Sequence, residues 1–302
     1  MVERAKHNMG QTIGVLATRQ VAVGVVENDA LTGPIRVYPE GAENPDALRT
    51  MTGDEIAELI GKQVLEASRE HQIDSVGVGF PGVIRNGIVE ESPNLQQIKG
   101  FPFAAALCGV LAKGGLKPSV LILNDADAIA AGVAATRGHL EKLIRIWYLG
   151  DGIGFGRYPQ AEGVWEGGHM VVSLDPKEHY CGCGGVGHLE GIMGHRAMRL
   201  RFLDMEPEEV FAAAREGDVR CATFVKRWHR ALAAASASSI HLEGPGKFFI
   251  MGPNAQYVDL GLVAQYIHEM VTMTPLQGSL FEIIASSTDL AIVGAAVNAR
   301  RA

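Results

Sequence analysis

The sequence predicts an α/β protein of two lobes. Three observations carry that expectation. Short apolar, strand-like runs alternate with helix-length amphipathic segments, Gly-rich turns follow two of the strands directly, and 302 residues suffice for two cores. The boundary is expected at the Gly-Leu-Lys-Pro segment, 115–118. Residues 1–117 with 287–302 then form one lobe and 118–286 the other.

Composition narrows the function classes. Apolar residues make up 47% and charged residues 20%, which is ordinary for a globular chain. The net charge of −7, with no long Lys/Arg cluster, argues against a nucleic-acid partner, whose footprint is a basic face. Four cysteines, two of them in one loop, point to a reducing compartment rather than a disulfide scaffold. No run is long and apolar enough to span a membrane, and the N-terminus carries no signal-peptide pattern. A soluble, cytoplasmic protein without membrane or nucleic-acid partners is expected.

Residues 12–27 read as two short strands joined by a tight turn. Thr52 to His71 is predicted helical, with Thr52 and Glu55 forming a capping box and Ile56, Leu59, Ile60, Val64 and Leu65 on one face. Asp74 to Phe80 is a buried strand running into Pro81-Gly82. Asn86-Gly87, between two apolar pairs, predicts a type I′ hairpin. Ser119 to Leu123 is another buried strand, ending at Asn124-Asp125 where an Ala-rich helix starts. An Asp at that place is read either as a helix N-cap or as a ligand-facing group at a strand tip.

Leu143 to Leu149 predicts a strand, followed by the Gly-rich run 150–156, which fits either a phosphate cradle or a plain turn. Helices are expected over 188–203, 207–217 and 218–242, with Cys221 and, on an earlier helix, Cys108 as core thiols. Lys247 to Met251 is a strand ending in Gly252-Pro253. A helix over 260–273, a strand over 281–285 and a small-residue helix over 290–301 complete the chain.

The stretch Glu166–Glu190 holds the densest chemistry. Cys181 and Cys183 are two apart, His188 follows five later, and His169 precedes Cys181 by twelve. Two thiolates and two imidazoles close a tetrahedral shell around Zn²⁺, leaving no open position, so the metal would be a structural brace. His179 and His195 are alternatives for the fourth ligand. Glu166 and Glu190 flank the ligands and are candidates for positioning substrate.

Glu166-Gly167-Gly168-His169 followed by Cys181-Gly182-Cys183-Gly184-Gly185-Val186-Gly187-His188-Leu189-Glu190 resembles the signature of the ROK family of sugar kinases and sugar-responsive repressors. One position departs, because His188 stands where the family has a third Cys. Imidazole also binds zinc, so the exchange keeps the donor set workable. The resemblance implies the two-lobed, actin-like ATPase fold (ribonuclease H-like) with a central cleft. Asn124-Asp125 then resembles the catalytic motif, with Asp125 the general base and Asn124 a sugar contact. The segment 79–94 resembles the sugar-facing loop, with Asn94 as the matching Asn. Glu166, His169 and Glu190 complete the implied sugar contacts.

The nucleotide side departs more. The hairpin within 12–27 should carry Asp-x-Gly-Gly-Thr and instead offers Leu16, Ala17, Thr18, Arg19 and Gln20. Asp151 replaces a Thr in the second phosphate loop, whose glycines Gly150, Gly152 and Gly154 persist. Pro253 replaces the Gly that follows Gly252 at the adenosine strand. The resemblance therefore implies an ATP- and Mg²⁺-dependent sugar kinase for a hexose or amino-hexose, assembling as a homodimer. The three departures suggest as alternative a sugar-binding relative that has lost phosphoryl transfer and acts as sensor or scaffold. A DNA-binding repressor fits poorly, since Gln11 to Thr18 comes too early for a helix-turn-helix ahead of it.

Overall fold

A computed structural model describes residues 11–40, 46–161, 163 and 166–302; the N-terminal stretch on which the signal-peptide reading rests lies largely outside them. The chain divides into two compact units, Met1–Lys142 with Gly156–Val164 and Ser287–Ala302, and Leu143–Phe155 with Trp165–Ser286.

The first unit begins with β1 (Gln11–Ala17), β2 (Val21–Glu27) and the short β3 (Ala30–Leu31) and β4 (Arg36–Tyr38). After α1 (Gly53–Ala67) come β5 (Ile73–Phe80), the hairpin β6 (Val83–Arg85) and β7 (Ile88–Glu91), α2 (Phe103–Lys113), β8 (Ser119–Asn124) and α3 (Asp125–Thr136). Strand order is β3-β2-β1-β5-β8, with β4 also on β2. β1 and β2 are antiparallel, whereas β5 pairs parallel with both β1 and β8. The expected capping box is present at α1, where Thr52 accepts from the Glu55 amide and Glu55 returns the bond to the Thr52 amide. Asn86 and Gly87 both have positive φ, as a type I′ turn requires.

The second unit holds β9 (Ile144–Leu149), the first half of β10 (Ile153–Tyr158), α4 (Leu189–Met193), α5 (His195–Arg201), α6 (Pro207–Glu216), α7 (Val219–Glu243), β11 (Lys247–Met251), α8 (Leu260–Met270) and β12 (Leu280–Ile283). Its sheet runs β10-β9-β11-β12, and Trp147, Trp228, Phe248 and Phe211 pack in its core. The last helix, α9 (Thr288–Arg301), belongs to the first unit, as expected, and lies against β1, β5 and α3. That packing is backbone-close. A Cβ at Gly294 would overlap the Ala128 carbonyl, and one at Gly132 the Leu290 carbonyl.

Three expectations are corrected. The boundary falls after Lys142, not near 117, because β8 is hydrogen-bonded along its length to β5 and carries α3 into the same unit. The helix expected over 188–203 is two helices broken at Gly194, whose backbone is extended (φ −63°, ψ 141°). The His195 amide turns to the Gly150 carbonyl at 2.9 Å and the Arg196 amide to the Asp151 carbonyl, so α5 starts on the loop and does not continue α4. Cys221 is buried as expected, but Cys108 sits on the exposed face of α2 and is no core thiol.

Candidate functional site

In the first unit the site is built at the tip of β8. Asn124 is the N-cap of α3, its Oδ1 accepting from the amides of Ala126 (2.8 Å) and Asp127 (3.3 Å). Its Nδ2 donates to the Gly82 carbonyl at 2.8 Å. Asn124 is thus engaged on both ends of its amide, and the cap alternative raised for Asp125 falls to its neighbour. Asp125 occupies the first helical position, half-buried, with Oδ1 accepting from the Ala126 amide. A carboxylate there is favoured by the positive end of the helix. Asp127 turns away and accepts from the Arg157 amide at 2.9 Å, which ties β10 to α3.

The 79–94 loop is held from beneath. Ser92, fully buried, donates to the Pro81 carbonyl at 2.7 Å. Gly82 (φ +116°) comes so near Glu91 that a Cβ would overlap its carbonyl oxygen. Asn94 itself is exposed, beside fully buried Leu95. Ser92 was not singled out by sequence reasoning, although it stands in the same Ser-Pro-Asn-Leu run.

In the second unit the Cys/His cluster forms as the spacing predicts. Cys181 Sγ lies 3.4 Å from His169 Nδ1 and 3.3 Å from Cys183 Sγ. His188 Nδ1 lies 3.3 Å from Cys183 Sγ and 3.4 Å from His169 Nδ1. Tetrahedral zinc with Zn–N and Zn–S of roughly 2.0–2.3 Å needs donor separations of about 3.3–3.8 Å, so the donor set fits that ion. Of the alternative fourth ligands, His195 pairs with Asn254 Oδ1 (3.4 Å) and His179 lies beside the Tyr180 ring; neither belongs to the four-donor cluster. Burial pushes the Cys181 thiol up to about 12, and burial with His169 nearby lowers His188. A cation would reverse the thiol shift, since a coordinating thiol loses its proton.

The knuckle is laced by its backbone. The amides of Val172 and Ser173 meet the Gly187 carbonyl, Leu189 donates to Met170, and Val171 bridges His188. Gly187 (φ +73°) leaves no space for a Cβ against the Ser173 carbonyl. With His169 Nδ1 turned to the sulfurs, its Nε2 faces Glu166 Oε2 at 3.9 Å, and Glu166 is exposed. Glu190 points back into its own unit. Oε2 accepts from the Ile153 amide (3.1 Å), and Oε1 from Cys181 Sγ (3.3 Å) and the Gly182 amide (3.4 Å). One carboxylate therefore joins the knuckle to the Gly150–Gly152 turn.

The candidate nucleotide glycines separate. Gly150 and Gly152 form the turn after β9, closed by Gly150 N–H to Gly152 O at 3.0 Å. Gly154 lies inside β10, apart from that turn. Gly252 (φ +98°) is packed on the Leu149 backbone. The Asn254 side chain donates to Gly150 O (3.3 Å), so the turn after β9 and the one after β11 are bonded to each other. In the first unit, the turn at Thr18–Gln20 contains no positive-φ residue; Arg19 O accepts from Leu48, and Arg19 Nε lies 3.6 Å from Asp46. A second donor group, His195 with Glu206 and Glu208, is exposed at both acids, and Arg199 pairs with Glu206 at 2.8 Å.

The sequence model of the ROK family matches residues 40–301. A glucokinase of Thermotoga maritima is 30% identical over 279 residues, 80% of this chain and 84% of that protein. A glucokinase of Pyrobaculum calidifontis is 28% identical over 63% of this chain, which spans 66% of that protein's length. The crystal structure of ROK hexokinase from Thermus thermophilus superposes with a TM-score of 0.76 at 22% identity, covering 96% of this chain and 97% of that one. The architecture is the two-lobed actin-like ATPase fold. No helix among the described residues is long and apolar enough to cross a membrane. With the family's sequence model matched across most of its length, the chain belongs to the ROK family.

Proposed function

We propose that the chain is an ATP-dependent sugar kinase acting on a hexose or amino-hexose, with Asp125 as general base. The observation that carries this reading is the carboxylate of Asp125 at the tip of β8, fixed by Asn124's double hold on α3 and Gly82. The kinases named among the relatives support the reaction class. Asp125 takes the proton of the acceptor hydroxyl as its oxygen attacks the γ-phosphorus of ATP, and the bond to the ADP oxygen breaks. When bound with the nucleotide, Mg²⁺ would offset the charge of the transferring group. Little covalent chemistry is left to the protein, so positioning dominates the rate.

Asn94, Glu166, His169 and Glu190 are proposed to hold sugar hydroxyls. His169 serves both purposes through its two ring nitrogens, Nδ1 in the cluster and Nε2 outward. Asn124 acts by holding Gly82 and Asp125. Zn²⁺ is proposed at His169, Cys181, Cys183 and His188, where a closed shell braces the loop and takes no part in the transfer. Gly150, Gly152 and Gly252 are the proposed nucleotide contacts, and Gly154 only shapes the strand beside them. A cytoplasmic location and a homodimer complete the reading.

The second reading, a sugar sensor without phosphoryl transfer, is favoured by one specific observation. The Thr18–Gln20 turn has neither glycine nor a positive-φ residue, and its Arg19 carbonyl is already bonded. A coupled ADP assay with D-glucose, D-mannose and N-acetyl-D-mannosamine separates the two. Turnover that falls about 10²–10⁴-fold in Asp125→Asn supports the kinase. Sugar binding without any heat from ATP·Mg²⁺ in calorimetry overturns it in favour of the sensor.

A further inference from the structure

Beneath the knuckle lies an ion cluster that belongs to neither the metal shell nor the proposed sugar contacts. Glu178, three residues before Cys181, leaves only 4% of its side chain exposed. Arg201 of α5 meets it bidentately, Nη1 to Oε1 at 3.0 Å and Nη2 to Oε2 at 2.5 Å, and Arg227 of α7 reaches Oε1 at 2.8 Å. A carboxylate so deep in the protein persists only where cations answer it. One guanidinium would neutralise it, so the second needs another reason.

That reason is visible in where each arginine goes next. Arg201 Nη2 also donates to the carbonyl of Gly191, the residue after Glu190, at 3.3 Å. Its guanidinium lies 4.3 Å from the Tyr180 ring, next to Cys181. Arg227 Nη2 reaches Ser173 Oγ at 3.4 Å on the opposite strap. The Glu178 carbonyl accepts the Gly187 amide at 2.7 Å, one residue before His188. Both straps that carry donors, and the start of α4, are therefore referred to one residue, Ser173 and Gly191 through the arginines on its carboxylate and Gly187 through its main-chain carbonyl.

We propose that Glu178 is a positioning residue, which through Arg201 and Arg227 sets the knuckle's two straps and hence the direction of His169 and Glu190. The metal closes the shell, and Glu178 fixes where the closed shell sits on α5 and α7. The sugar readout of this proposal rests on the kinase reading above, while its metal readout does not.

The test compares Glu178→Gln with the zinc-loaded full chain. Release of zinc to 4-(2-pyridylazo)resorcinol should be about tenfold faster or more, in line with losses of roughly 10–100-fold on removing groups that orient metal ligands. With D-glucose or N-acetyl-D-mannosamine and ATP, KM should rise about tenfold while kcat stays within about threefold, a split that general destabilisation does not produce. Arg227→Gln leaves the Arg201 pair in place and should move both readouts the same way by about threefold, and it decides the matter alone if the Glu178 variant does not fold. Unchanged zinc release and unchanged KM in a folded variant overturn the proposal. If the parent protein phosphorylates neither sugar, the kinase reading fails and zinc release still decides the role of Glu178.

Discussion

Asn124 donates its side-chain amide to the carbonyl of Gly82, 2.8 Å away across forty-two residues of sequence, while its Oδ1 caps the helix that begins with Asp125. One side chain thus fixes both the loop at the end of β5 and the start of α3. A helix cap alone needs only the acceptor, and the donor half is what links the candidate base to the candidate sugar loop.

Two substitutions separate those halves. Asn124→Ala removes the cap and the link, and should cost about 1 kcal/mol, or roughly 2–4 °C in Tm. Asn124→Asp keeps an N-cap acceptor but turns a carboxylate oxygen on the Gly82 carbonyl. It should therefore retain most of the helix stability yet lose kcat about as strongly as the alanine variant. Thermal unfolding and turnover measured side by side check this. Equal kcat in the Asp variant and the parent would show that the Gly82 link does not position Asp125.

The close approach of α9 to α3 sets up a test in stability. Gly132 and Gly294 face carbonyls of the opposite helix, Leu290 and Ala128, at distances that admit no side chain. Gly132→Ala should lower Tm by more than the roughly 0.8–1.0 kcal/mol that helix propensity adds would raise it, since backbone has to move. Gly109→Ala on the exposed face of α2, where nothing lies within 4 Å of the new Cβ, is the control and should raise stability by about that amount. If both variants are stabilised, the helices do not meet as described.

The metal can be tested by counting. Elemental analysis should give about one zinc per chain, and Cys181→Ser should lose it, because the remaining three donors leave the shell open. Without metal the two straps keep their backbone lacing and the Glu178 clamp, so proteolysis should cut within 170–188 only slowly in the metal-free parent. Full zinc content in the Cys181 variant would remove the ligand assignment.

Much of this was legible in the sequence because the signals are local. Strands β1, β5, β8, β9 and β11 are short apolar runs with turn residues at their ends, and α1 announces itself by its capping box. The four donor residues sit in one stretch, where spacing suggests the set while leaving His179 and His195 open as the fourth ligand. Features that depend on distant partners were not legible. Gly194 reads as a tolerable helix interior until the Gly150 and Asp151 carbonyls draw off the first amides of α5. Glu178 drew no notice in the sequence, since its partners Arg201 and Arg227 are twenty-three and forty-nine residues away and only the fold brings them to it. The unit boundary moved for the same reason, since β8 is assigned by its partner β5 and not by its own composition.

His229 sets the last expectation, a dependence of stability on pH. The side chain is 2% exposed on α7; its Nδ1 lies 2.8 Å from the Val225 carbonyl and its Nε2 2.9 Å from the Asp259 amide nitrogen. Nε2 accepts that amide hydrogen, so Nδ1 carries the ring's proton and donates, which is the neutral tautomer. Protonation would set a second N–H against the Asp259 amide inside an apolar core, and burial accordingly lowers the pKa from its ordinary value. The unfolded chain binds a proton at about 6.5 while the folded one resists it. The contribution of His229 is thus fully present above that pH and is lost as pH falls below it, with a slope of at most about 1.4 kcal/mol per pH unit. The parent is compared with His229→Gln, which cannot take up the proton. Denaturant unfolding at pH 7.5 and pH 5.5 should show the parent losing more stability than the variant over that interval. Equal losses would mean that His229 is protonated as readily in the folded protein as in the unfolded chain, and that the Asp259 amide does not hold the ring neutral.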